Sequence, residues 1–160
     1  MSVKKDSYVW VGVALISAAI GAVIIMVIID MMQPKITLRI GDGIFTAKLA
    51  KTDIQRTKGL SDINRLSEDQ AMLFVFAQEG FYGIWMKDMK IPIDIVWLDK
   101  DKKVIHIARH IAPDTYPTIY RPKDSAKYVL EFAAGTIDKQ TIKIGSIAQF
   151  DERRAEEGVE

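Results

Sequence analysis

Asp94 and Glu131 are acids set inside apolar runs, Ile91 to Leu98 and Tyr128 to Ala133. Read as strands, with side chains alternating between faces, the first run puts Asp94 beside Val96 and Leu98 and leaves Ile93, Ile95 and Trp97 on the other face. Glu131 shares its face with Val129 and Ala133 in the same way. A buried carboxylate without a partner is costly, so each acid predicts one. Arg56, Lys87 and the indole N–H of Trp85 are the candidate partners. Three chemistries fit such a set: an ion-pair network that holds the fold, a ligand pocket, or a pair of carboxyls working as acid and base.

Other chemistry is weakly represented. His106 and His110 stand four apart, a zinc-binding spacing on a helix. In a strand the same spacing separates them by about 13 Å, too far for one ion. Asp99 and Asp101 resemble the start of a calcium loop, but the glycine and late glutamate such a loop needs are missing. The chain has no cysteine, which excludes disulfides and thiolate metal sites. No phosphate loop, dinucleotide fingerprint or nucleophile elbow occurs, and no cofactor or metal is expected. The aromatic cluster Phe81, Tyr82, Trp85 fits either a core plug or the floor of a groove.

The elements that must position these residues are short. Ile36–Ile40 and Ile44–Ala50 alternate apolar and polar around Gly41-Asp42-Gly43, which predicts a hairpin. Thr52 with Gln55 has the spacing of a capping box, and Gly59 stops the short helix it starts. Met72–Phe76, Ile91–Asp99, Val104–Ile111 and Lys127–Phe132 read as strands, the middle two as an antiparallel pair. Pro113, Pro117 and Pro122 make residues 112–123 an irregular excursion. A short helix after Gly135 and a strand at Ile144–Phe150 close the domain. The expected fold class is α+β, mostly antiparallel, partly curled or barrel-like, with two or three short helices.

Before this domain, Tyr8 to Ile29 is a run of 22 residues without charge. As a helix it reaches about 33 Å, enough for the roughly 30 Å hydrocarbon layer. A cleaved signal would end at a small-x-small site, and a soluble core helix would carry a polar stripe; neither is present. Residues 8–32 are therefore expected to be a transmembrane anchor behind a short tail at residues 1–7. Lys4 and Lys5 favour the tail inside, which puts the domain, residues 33–150, on the extracytoplasmic side. Residues 151–160 are acidic and polar and read as a charged C-terminal tail. The net charge of +1 argues against a nucleic-acid partner.

Arg56, Gly59 and Leu60, then Ala71–Phe76, then Trp85 to Asp94 with Tyr128–Glu131 and Gly135, resemble the signature of the domain of unknown function 192 family. The likeness runs from about Ile36 to Phe150. Ser61, Ala71, Asp88 and Arg121-Pro122 depart from its usual pattern. The resemblance implies a small, compact domain, often behind a signal or anchor, and no established activity. Its tryptophan-to-aspartate block adds Asp88 to the candidate ligand-binding set of Arg56, Trp85, Lys87, Asp94 and Glu131; no residue is expected to be catalytic. The expected function is a membrane-anchored extracytoplasmic module that binds an envelope polymer, a small molecule or a protein partner. The alternatives are an envelope-polymer hydrolase using a carboxylate pair and a purely structural role.

Overall fold

The computed structural model describes residues 3–31 and 33–159, with side chains described for residues 10–25 and 33–159. The chain divides into two compact units, Met1–Gln33 and Pro34–Glu160. The first is a single helix, α1 (Val3–Met31), 29 residues long. Apolar side chains on it, including Trp10, Leu15, Ile16, Val23 and Ile25, are exposed. The Ser17 hydroxyl turns back to the Val13 carbonyl at 2.6 Å, so even the polar group of this stretch is satisfied within the helix. The continuous helix agrees with the sequence reading, but the membrane crossing expected of it is not carried by the described residues. Among them, no helix is long and apolar enough to cross a membrane.

The second unit is an α+β domain. Its strands are β1 (Lys35–Ile40), β2 (Gly43–Ala50), β3 (Gln70–Gly80), β4 (Ile84–Trp85), β5 (Ile93–Leu98), β6 (Val104–Ile111), β7 (Ile119–Tyr120) and β8 (Ala126–Ala133). Three short helices accompany them: α2 (Asp53–Lys58), α3 (Thr136–Lys139) and α4 (Glu152–Glu156). Six strands form one sheet in the order β1-β2-β3-β8-β5-β6, and β4 and β7 pair as a separate ribbon. All pairs in the large sheet are antiparallel except β2 with β3. That parallel pair needs a crossover, which α2 and the loop after it supply.

The expected hairpin forms β1 and β2, with Ile40 facing Gly43. Gly41 at its turn has φ 56°, and a Cβ there would meet the Gln140 carbonyl oxygen at 2.0 Å, so only glycine fits.

Both faces of the sheet are apolar. Leu38, Phe45, Leu73, Val96, Leu130 and Phe132 pack on one face with Ile137 of α3 and Ala155 of α4. Phe74, Ile93, Ile95, Trp97 and Val129 pack on the other with Leu60 and with Ile84 of the ribbon. Every residue of β5 is consequently buried.

Two expectations are corrected. Residues 144–150 do not form a regular strand, and the sheet does not close into a barrel, since β1 and β6 lie at opposite edges. Gly145, at φ 89°, turns the backbone before a ladder can extend. Arg39 and Gln149 exchange backbone bonds of 2.9 and 2.8 Å, and the Ala148 N–H reaches Lys102 O at 2.9 Å, so this segment ties to both edge regions.

Within the charged C-terminal tail, whose residues are mostly exposed, Glu152–Glu156 form the short helix α4. Asp151 caps α4. The Lys51 ammonium donates to the carbonyls of Arg154 and Glu157, at 2.8 and 2.7 Å, and so closes the helix C-terminus. Tyr128 donates to Glu156 at 2.7 Å. The charges there satisfy a helix end while its single small residue, Ala155, is buried. Ala155→Asp should therefore lower stability by about 2–4 kcal/mol in chemical denaturation of residues 34–160. An unchanged midpoint would mean α4 is not docked.

Candidate ligand pocket

A cavity of about 660 Å³ opens on the sheet face that carries Phe74, between the end of α2 and the start of the ribbon. One wall depends on local sequence. The Thr52 hydroxyl accepts from Gln55 N–H while the Gln55 side chain accepts from the Thr52 N–H, the expected capping box. Gly59 then ends α2 at φ 48°, and a Cβ there would come within 3.3 Å of Phe74. The wall is fastened to the opposite side of the mouth by Ser61 Oγ to Lys87 O at 3.1 Å and by Asp62 N to Asp88 O at 3.0 Å.

The second wall is aromatic. Phe76 and Tyr82 stack at 3.4 Å between ring centroids, and the Arg56 guanidinium lies 5.1 Å over the Phe76 ring. Burial pushes the Tyr82 phenol up, with Arg56 pulling it the other way. Arg56 also donates to the carbonyls of Lys51 and Val75 and pairs with Asp53 at 2.7 Å. Its charge is thus built into the wall. Trp85, 43% exposed, and the exposed Lys87 stand at the mouth.

Glu131 also lines this cavity. It faces Met72 and Ile95 across the neighbouring strands and is 4% exposed. Its Oε2 is buried and has no hydrogen-bond partner. Burial alone pushes its carboxyl up to about 8, so it is mostly a neutral acid at pH 7. Burial is the sole cause of that shift, so among the described residues neither Arg56 nor Lys87 forms the ion pair expected for it.

Asp94 belongs to a different place. It pairs in register with Phe132, whereas Glu131 pairs with Ile95, so the two carboxyls project to opposite faces of the sheet. Asp94 is fully buried, and its partners are backbone N–H groups rather than the expected cations. His110 N donates to Oδ1 at 2.8 Å and Ile137 N to Oδ2 at 3.0 Å. A bulge in β6 supplies the first: His110 takes φ 51°, and the register slips between Ile93 and Ile95. The opening turn of α3 supplies the second. Asp88 also lies outside the cavity, in a left-handed turn at φ 57°. The two histidines have separate surroundings, His106 against the Trp97 ring at 5.3 Å and His110 facing Asp138 at 3.4 Å.

Of the candidate residues, then, Arg56, Trp85, Lys87 and Glu131 line one cavity, and Asp88 and Asp94 do not. Sequence reasoning missed Phe74, Phe76 and Lys58 as lining residues. Their signal was confounded: Phe74 and Phe76 sat in a run that reads only as a core strand.

These features define an α+β domain with a pocket on one face of a two-faced sheet, and the comparisons agree on its class. The chain belongs to the domain of unknown function 192 family, whose model, described as Uncharacterized ACR, matches residues 36–150. It is similar to a UPF0127 protein of Thermococcus gammatolerans, 32% identical over 108 residues, 65% of each chain. A second UPF0127 protein, from Thermococcus kodakarensis, is 28% identical over 105 residues, 64% of this chain and 63% of that one. The match thus spans less than two thirds of the length of these curated relatives. Among solved structures, a candidate transcription regulator from Sinorhizobium meliloti 1021 superposes with a TM-score of 0.70 at 25% identity, covering 74% of this chain and 95% of that one. A protein of unknown function from Novosphingobium aromaticivorans gives 0.67 at 25% identity, covering 73% and 84%.

Two outcomes follow from the two acids. Below about pH 4 Glu131 is protonated in both the folded and the unfolded chain, and its neutral burial contributes fully. From there to about pH 8 only the folded state keeps the proton, so stability falls as pH rises. Denaturation of wild type and Glu131→Gln at pH 5 to 8 should diverge by about 1.4 kcal/mol per pH unit, in favour of the variant as pH rises. Parallel curves would contradict the buried neutral acid. Asp94→Ala strands two amides and should cost about 2–4 kcal/mol, while Asp101→Ala, on an exposed turn, should cost less than about 0.5.

Proposed function

We propose that this chain is a membrane-anchored, extracytoplasmic module that binds a small organic ligand in the pocket above Glu131. The observation that carries the binding half is the unpartnered, buried Oε2 of Glu131, a residue that lines a cavity of about 660 Å³. Native folds rarely leave such a group unsatisfied, and a ligand atom would satisfy it. The volume lies within the usual range of small-molecule sites. The wall fits the same use, since Arg56 is locked by carbonyls and Asp53 and the aromatic pair is already stacked.

The anchor half rests on the uncharged run Tyr8–Ile29 and on the exposed apolar side chains along α1. Lys4 and Lys5 before it favour the domain outside.

Hydrolysis by a carboxylate pair is the weaker reading, because Asp94 and Glu131 face away from each other. A role in transcription regulation, the words attached to the Sinorhizobium neighbour, has little support as nucleic-acid binding in a chain of net charge +1.

Two experiments test the proposal. Protease added to intact cells or spheroplasts should remove the domain after Gln33; full protection would refute the topology. A thermal-shift screen of small molecules should yield ligands that raise the Tm of wild type and not of Glu131→Leu. A screen with no Glu131-dependent ligand would remove the binding reading.

A further inference from the structure

The β4–β7 ribbon has two unlike faces. Ile84 and Tyr120 pair across it and pack with the Phe74 side of the sheet, where Ile84 is buried. Trp85 and Ile119 form the other pair, and alternation sends them to the outer side. They are 43% and 41% exposed, and Phe81, just ahead of the ribbon, is 61% exposed. An indole, a branched chain and a phenyl ring left in water on one small element make an apolar patch that the domain leaves uncovered.

Cations border this patch. A Cβ at Gly83 would meet Ile119 Cγ2 at 2.6 Å and Arg121 Nε at 3.1 Å, so the glycine is the space across which both side chains lie. Lys87 follows Trp85 by two residues and stands at the same pocket mouth. Lys87 and Arg121 are exposed, and among the described residues neither makes an ion pair. Residues 81–90 and 116–124 carry Lys87, Lys90, Arg121 and Lys123 against Asp88 and Asp124. Aromatic and branched side chains bordered by lysine and arginine suit the headgroup layer of a bilayer, where the rings sit below the phosphates and the cations meet them.

The tether favours the bilayer over any other cover. The uncharged run ends at Ile29, and the domain begins at Pro34. Five residues extend to at most about 18 Å, so a chain held by that run keeps Pro34 close to the lipid surface. The Pro34 carbonyl accepts from Leu49 N–H at 3.0 Å, which sets the start of the domain beside the end of β2. From there α2 begins at Asp53, and its Thr57 lines the same cavity as Trp85. The patch is thus two short steps from the tethered end, along α2 and across the cavity mouth.

We infer that the outer side of the β4–β7 ribbon, Phe81, Trp85 and Ile119 with Lys87 and Arg121, rests in the headgroup layer of the membrane that holds the chain, with anionic phospholipid as its partner. This rests on the anchor proposed above and goes further in giving the domain a resting face. Because Trp85 and Lys87 also line the cavity, its mouth then opens beside the lipid surface.

Tryptophan emission reads this contact. The chain has three tryptophans, Trp10, Trp85 and Trp97, and Trp97 is fully buried. In the full chain carrying Trp10→Phe, the emission lost on adding Trp85→Phe belongs to Trp85, and the blue emission left from Trp97 reports that the domain is folded. The chain is assembled into phosphatidylcholine nanodiscs containing about one third phosphatidylglycerol, with plain acyl chains or chains brominated near the headgroup. Bromine should lower the Trp85 emission about twofold or more, since the indole sits at that depth. Pure phosphatidylcholine, or salt at about 0.5 M, should remove most of this quenching. Lys87→Gln with Arg121→Gln should make the quenching the same in anionic and neutral discs.

Trp85 emission untouched by bromine, in chains that co-elute with the discs, would overturn the inference and leave the anchor standing. Equal quenching of the unsubstituted patch in anionic and neutral discs would overturn the assignment to anionic lipid. Blue-shifted Trp85 emission without quenching would give the patch to a protein surface, such as a second copy in the disc, and overturn the inference as well. A chain that does not co-elute with discs removes the anchor and the inference together, so the two failures are distinguishable.

Discussion

Where the central strands of this sheet pair with one another, from Ala71 to Val75 in β3 and along β5, every residue is buried. β3, β8 and β5 lie in the middle of six strands, and apolar side chains leave them on both sides. Each face must be covered by something else in the chain. Helices α3 and α4 with the closing segment cover one, and the α2 region with the β4–β7 ribbon covers the other. The second cover is incomplete, and the pocket is the gap it leaves. Its floor is consequently a core surface, which is why apolar rings and a buried acid meet there.

The two buried acids show two solutions to one electrostatic problem. Asp94 is satisfied by geometry: a bulge turns one amide toward it, and the first turn of α3 presents another. It gives up water but keeps hydrogen bonds, and in exchange it joins β6 and α3 to the central strand. Glu131 is satisfied by protonation, which removes the charge and leaves an oxygen without a partner. The first solution is complete within the domain. The second is incomplete within the domain, and the proposed binding of a ligand rests on that incompleteness. An acid held by backbone amides and an acid held neutral look alike in composition and differ in what surrounds them.

Rigidity of the pocket follows from small local devices. The capping box and Gly59 fix the length of α2, which places Arg56 over Phe76. Ser61 and Asp62 tie that helix end to the backbone of Lys87 and Asp88. Asp88 takes a left-handed turn, and its carbonyl accepts the Asp62 N–H of this tie. A site assembled from a helix end, a strand and a ribbon holds its shape because each piece is bonded to the next.

The α+β class, the β1–β2 hairpin, the capped α2, the β5–β6 pair and the short helix after Gly135 were legible along the chain. These depend on periodicity, turn residues and caps, which act over a few neighbours. The sequence also marked Asp94 and Glu131 as anomalies, because a charge in an apolar strand is costly wherever the strand lies. That the two point to opposite faces, and that just one lines a cavity, follows from the three-dimensional pairing of the strands. Their faces follow from strand pairing across the sheet, and adjacent strands β8 and β5 are separated by many residues in the chain. The docking of α4 was equally illegible, since its polar composition conceals a single buried alanine and a helix end closed by the distant Lys51. Long-range register and caps supplied from afar leave no local pattern to read.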